Sequence, residues 1–213
     1  MAHPGYKAII KIDGTPTRIS DEAATVTSDL PANTKYVITN DTKRILDRSK
    51  PVVVKVGNVT ANANSYEIDY LFGTITFSTS AVRVVTVSGH FIPVISVAGG
   101  TQYSISINSE ALEDTSFTET SSESGWRTYI YGLQSASVSI TRIDDLTKNF
   151  KNRLSSREVV LLELSMSGGL SIMRGWFIID KASSKGELNS VEMEELNFTL
   201  SGNALSSLSL RKT

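Results

Sequence analysis

The chain has no cysteine, only two histidines and five prolines, and no apolar run approaching the length of a membrane span. Each shortage removes a class of function. Without cysteine there is no disulfide scaffold and no thiolate metal site, the usage expected of a protein that folds in a reducing cytosol. His3 and His90 offer neither a convergent ligand pair nor the base of a nucleophile triad. The first residues, Met-Ala-His-Pro-Gly-Tyr-Lys, lack the apolar core of a signal peptide, so synthesis in the cytosol without a membrane partner is expected. Charge of one sign is also lacking. With 21 basic and 22 acidic residues the net charge is −1, which leaves no global basic field for gripping nucleic acid. The densest basic stretch, Lys43, Arg44, Arg48, Lys50 and Lys55, is diluted by Asp41 and Asp47.

What is present is a succession of short Val/Ile/Thr/Tyr-rich runs separated by Gly/Asn/Asp/Ser turns, over a length that supports one large β domain or two small ones. Tyr6 to Ile12 alternates as a strand. Asp13-Gly14 reads as a hairpin turn with Thr17 to Ser20 returning, and Ser28 to Thr34, with Pro31, breaks the pattern. Residues 35–93 read as a compact unit. It has an apolar strand at Pro51 to Val56, a hairpin from Tyr66 to Phe77 turning near Phe72-Gly73, and a closing strand at Val84 to Ile92. Within the hairpin, Tyr66, Ile68 and Tyr70 share one face by parity, and Ile75 and Phe77 another.

Thr101 to Asn108 predicts a strand with Tyr103, Ile105 and Ile107 inward. Residues 135–141 repeat the pattern, Ala136, Val138 and Ile140 alternating with serines and Thr141. Period-two alternation of this kind makes one wet and one dry face. Ile143, Leu146, Phe150 and Leu154 lie at helical spacing, so one helix is expected over Asp144 to Leu154, with Asp144 and Asp145 at its start and Lys151 and Arg153 near its end, both favourable to the helix dipole. Its stripe is expected to pack on a sheet. Val160, Leu162, Leu164 and Met166 form an inward face, and Leu170 to Ile179, apolar on both parities, is buried on both sides. In the last strand Val191 and Met193 have one parity and Leu196, Phe198 and Leu200 the other, which predicts a bulge at Glu194-Glu195.

No pattern supports catalysis. Glu67 and Asp69 share a strand face, as do Glu192 and Glu194; an acid–base pair needs a cleft with two separate environments, and a solvated face is the plainer reading. Gly99-Gly100 and Gly168-Gly169 open no helix and so make no phosphate loop. No cofactor and no metal site is expected.

The order of parts from Glu110 to Leu205 resembles the major tail tube proteins of long-tailed bacteriophages. An acidic Ser/Thr-rich segment, Glu110 to Ser124, precedes Ser124-Gly125-Trp126 and Gly132-Leu133. The Ser/apolar strand and a short helix follow, then Arg174-Gly175-Trp176-Phe-Ile-Ile-Asp180, then Phe198-Thr-Leu-Ser-Gly202. Residues 5–29 match loosely. The resemblance implies an all-β fold with one flanking α-helix, an antiparallel β-sandwich or partial barrel formed by residues 1–34 and 94–213, with 35–93 inserted as a small β domain. It also implies a structural subunit, not an enzyme, that assembles as hexameric rings stacked into a tail tube for genome delivery. Its partners would be further copies of itself, tail proteins such as the tape measure and tail terminator, and viral DNA passing without specific binding. The subunit would be assembled in the host bacterial cytoplasm and reside in the virion. The inter-subunit arm would carry Leu112, Phe117, Glu119 and Trp126, and Glu192 and Glu194 would line the lumen. A secreted β-sandwich adhesin or carbohydrate-binding module is the alternative, though exposed aromatic platforms are scarce.

Overall fold

A computed structural model describes residues 9–30, 33–79, 83–97, 100–113, 129–143, 150–166, 171–186, 192–201 and 208–212. Among them the chain is mostly antiparallel β with one α-helix, as expected. It begins with β1 (Ile9–Asp13), β2 (Thr17–Leu30), β3 (Asn33–Ile38) and a 3₁₀ turn at Asp41–Lys43. β4 (Val53–Val56), β5 (Val59–Thr60), β6 (Tyr66–Asp69), β7 (Thr74–Phe77), β8 (Val85–Phe91) and β9 (Val94–Ser96) follow. The second half holds β10 (Gly100–Glu113), β11 (Tyr129–Ile143), α1 (Phe150–Ser156) and β12 (Val159–Met166), then β13 (Ser171–Lys185), β14 (Met193–Leu200) and β15 (Leu208–Lys212). The N-terminal part of the expected helix, Asp144 to Asn149, lies outside the described residues.

The chain divides into two compact units, one of Met1–Val97, Val160–Trp176 and Gly202–Thr213, the other of Ala98–Val159 and Phe177–Ser201. The first unit contains a seven-stranded sheet in the order β5-β4-β8-β2-β3-β7-β6, together with β9, β1, β12, the start of β13 and β15. That sheet takes in β2, ahead of residue 35, as well as strands from 35–93. Tyr36, Ile38, Leu46, Val54, Ile75 and Val87 form its core, each at most 1% exposed. A second apolar cluster joins Ile45, Leu71, Phe72, Ile92, Leu161 and Trp176, with the Arg48 guanidinium 4.9 Å from the centre of the Trp176 ring.

In the second unit the strands run β10-β11-β14-β13. The alternation read from the sequence is realised on β11, where Ala136, Val138 and Ile140 are buried and Ser135 and Ser137 are exposed. Cross-strand register carries the dry row onward, Ile105 opposite Val138, Val138 opposite Phe198 and Phe198 opposite Ile179.

Three expectations are corrected. Asp13-Gly14 does not turn a hairpin: β1 pairs with β12 and β9, while β2 belongs to the other sheet. Both residues are held by sequence-distant partners instead, the Gly14 amide donating to Pro93 O at 2.7 Å and the Leu161 amide to Asp13 Oδ1 at 3.2 Å. The approach at Gly14 is close, since a Cβ there would lie 3.0 Å from Ile95 Cδ1 and 3.1 Å from Pro93 O.

In the β6–β7 hairpin Tyr66 sits opposite Phe77 and Ile68 opposite Ile75. Directly opposed residues share a face, so the two apolar sets form one surface, not two. Their ring contacts agree, with Phe77 5.7 Å from both Tyr36 and Tyr66. β14, finally, has no bulge. Its register to β11 is unbroken from Met193 to Thr199, and its buried parity is Glu194, Leu196 and Phe198. The extra residue lies across on β13, where the register shifts between Ile179 and Lys181.

The β6–β7 turn depends on Gly73, at φ +60° with a would-be Cβ only 2.6 Å from Arg44 O and 2.9 Å from Arg44 Cα. Gly57 has a similar φ of +63° but open space around it. Gly57→Ala should therefore cost only the left-handed penalty, about 1–2 kcal/mol, and Gly73→Ala distinctly more. Urea unfolding of the two variants checks this; equal losses would contradict the packing role of Gly73.

Candidate functional site

Among the described residues no three or more His, Cys, Asp or Glu side chains converge as a metal site. His90 lies in β8 with its Nδ1 buried and without a hydrogen-bond partner; His3 is outside the described residues. Asp69 serves the turn that follows it, its Oδ1 accepting from the Leu71 amide at 2.9 Å and the Phe72 amide at 3.3 Å. The structure instead offers two surfaces and two buried ion clusters.

The first surface is the wet face and free edge of the second unit's sheet. Strand register aligns Ser106, Ser137, Thr199 and Ile178 in one row and Ser104, Ser139, Asn197 and Lys181 in the next. The face is thus mainly hydroxyl and amide. At its side β10 is a terminal strand of fourteen residues paired only to β11 among the described residues. It contains no proline and no lysine, the residues that commonly guard an edge against pairing with another chain. Ile107, expected inward, is 51% exposed: it has inward parity, but at this edge nothing among the described residues closes over it.

Glu192 is exposed just ahead of β14. Glu194 departs from the solvated face read from the sequence. It is 2% exposed and accepts from Arg142 Nε at 2.8 Å and Nη2 at 2.6 Å. Arg142 itself is fully buried, because the inward parity Ala136, Val138, Ile140 continues to it and meets the inward parity of β14 there. The sequence reading missed this pair, although counting β11 two residues further would have found the arginine. Breaking such a pair from one side costs about 3–5 kcal/mol, since the other charge is left buried.

Of the arm residues, Leu112 lies in β10 with its backbone paired to Ile130; Phe117, Glu119 and Trp126 lie outside the described residues.

The second surface is a cleft of about 910 Å³ in the first unit. Its floor is an ion cluster centred on Glu163, which β12 buries at 1% exposure. Lys11 Nζ approaches one carboxylate oxygen at 2.7 Å and Arg174 Nε the other at 2.6 Å. Arg174 also donates from Nη1 to Leu71 O at 2.9 Å, and its guanidinium stands 4.8 Å from the Phe72 ring centre. Burial pushes the Glu163 carboxyl up, but the Lys11 hydrogen bond and the charges of Arg174 and Lys11 outweigh it, and the group ends below its usual 4.5. The signal that could have found it is a lone acid inside Val159-Val-Leu-Leu-Glu-Leu164.

The solved structures to which the chain is similar include the following two. One is the tail of an empty GTA particle with C6 symmetry, at 24% identity over 57% of this chain and 87% of that one, with a TM-score of 0.46. The other is the virion of a native gene transfer agent particle, at 25% identity over 55% and 88% of the two chains and a TM-score of 0.44. No family model and no curated protein matches the chain.

Because Glu163 is depressed in the folded state, its contribution to stability is complete above its unfolded pKa and is lost as pH falls through the folded value. The urea midpoint should therefore drop between about pH 5 and pH 3. Glu163→Gln should lower stability near neutrality by about 3 kcal/mol and flatten that acid dependence. An unchanged slope in the variant would remove Glu163 as its source.

Proposed function

We propose that this chain is the structural subunit of a phage tail tube, assembling as hexameric rings that stack into a conduit for genome delivery. The observation that carries the reading is the long edge strand β10, free of proline and lysine, in a chain whose order of parts resembles that family. An edge strand presents a row of unpaired N–H and C=O groups and is a template for another chain.

Strand number supports closure into a ring. β10, β11, β14 and β13 are successive antiparallel neighbours, so β10 and β13 run in opposite directions. Copies related by rotation keep the same sense, and β10 of one copy would meet β13 of the next in an antiparallel pair. Such a contact is heterologous, and it makes rings when the rotation closes. β13 has fifteen residues and β12 only eight, so among the described residues the far end of β13 has no strand neighbour on that side.

In this reading the hydroxyl and amide rows of the sheet face the bore. A lining with little net positive charge displaces few DNA counterions, so DNA passes without being held. Glu192 is the proposed acidic residue of the lumen, whereas the Glu194 charge is neutralised by Arg142. Residues 1–34 and 94–213 form the tube-building domain, with 35–93 as an insertion. The segment with Leu112, Phe117, Glu119 and Trp126 is the inter-subunit arm. Partners are other copies and the remaining tail proteins, the tape measure and terminator among them; assembly occurs in the host cytoplasm and the product resides in the virion. No step requires a cofactor or catalysis.

Negative-stain microscopy of the purified chain should show rings or tubes, and Ile107→Lys, which places a guarding charge at the edge, should abolish them while circular dichroism is unchanged. A monodisperse monomer under all conditions would contradict the reading.

A further inference from the structure

We infer that the cleft of the first unit is the receptor for the acidic arm of a second copy, residues 114–126, with Phe117 seated on its apolar wall. The inference rests on the subunit reading and names the partner surface that the reading lacks.

The cleft has the chemistry for such an occupant. Its polar side holds Lys11, Arg44 and Arg174, and its apolar side Phe91, Pro93 and Ile172, all three half-buried. Lys11 and Arg174 share the single carboxylate of Glu163, so that cluster keeps a surplus positive charge. Arg44 adds another. It donates to main-chain carbonyls, from Nε to Ile38 O at 2.8 Å and from Nη2 to Thr39 O at 3.4 Å, and these bonds satisfy donors without neutralising charge. Asp41 and Thr42 stand exposed at the rim.

The arm is the complement. Residues 114–124 contain Asp114, Glu119 and Glu123 with no lysine or arginine, and Phe117 is their only aromatic residue. A phenylalanine buries on the order of 150–250 Å², enough to anchor an otherwise polar segment, while its flanking carboxylates meet a cleft in which Lys11, Arg44 and Arg174 outnumber Glu163 and Asp41 by one charge. Complementary charge sets register and discourages wrong partners. Four cleft residues, Asp41, Thr42, Arg44 and Phe91, lie in 35–93, so the inserted segment would serve to hold the neighbour's arm.

Absence of native cysteine makes the test clean. Chains carrying only Thr42→Cys are mixed with chains carrying only Ser116→Cys, assembled and oxidised, and the 42–116 linkage is read by mass spectrometry; a disulfide forms only when the Cα atoms approach to about 7 Å. The inference predicts this inter-chain link in rings or tubes, and none when Ser139→Cys on the hydroxyl face replaces Thr42→Cys. Arg44→Glu and Phe117→Ala should each lower its yield, the charge reversal by about threefold or more, with folding checked by circular dichroism. Normal rings without the link overturn the inference and leave the subunit reading standing. A link confined within single chains of the double variant also overturns it. If no rings or tubes form, the subunit reading fails and the inference falls with it.

Discussion

Everything proposed for assembly depends on one constraint, the period-two alternation of side chains across the four strands of the second unit. A strand cannot choose its faces residue by residue; once Val138 is inside, Ala136, Ile140 and Arg142 are inside as well. The same parity turns Ser137 outward, next to Ser106 on one side and Thr199 on the other. A dry face and a hydroxyl face are thus created together, and among the described residues the outer side of β10 is left without a strand neighbour.

The charges in the interior follow from that geometry. Arg142 and Glu194 are the inward positions of β11 and β14 and lie directly opposite each other, so each supplies the counter-ion the other needs. In the first unit Glu163 plays a comparable part against Lys11 and Arg174. Through Arg174 and Leu71 O it also ties the β6–β7 turn to β13, the turn that Gly73 allows to approach the Arg44 backbone. A buried pair of this kind is weak evidence for stability by itself. Its clearer consequence is that Glu163 sets the floor of a cleft with residual positive charge.

Much of the β architecture was legible because alternation is a local signal. β11 reads directly from Ser135-Ala-Ser-Val-Ser-Ile140, and the β6–β7 turn from Gly73. What failed was non-local. Asp13-Gly14 has good hairpin chemistry, yet its donors and acceptors are satisfied by Pro93 and Leu161, partners that no local pattern reveals. The bulge expected in β14 follows from counting apolar residues alone. A glutamate at an inward position escapes that count, because the arginine that makes it tolerable lies 52 residues away. The cleft was invisible for the same reason, its walls coming from residues as far apart as 11, 44, 72, 91, 163 and 174.

Pairing of β10 with a neighbouring copy is the central claim, and hydrogen exchange tests it most directly. Half of the β10 amides face β11, and the others face away from it. In dilute monomer the outward amides should exchange rapidly, and in assembled material they should slow to the protection of β11. The inward amides of β10 serve as the internal reference, since β11 covers them in both states. If the outward amides of Gln102 to Glu110 exchange equally fast in monomer and assembly, the edge is not the joint between subunits.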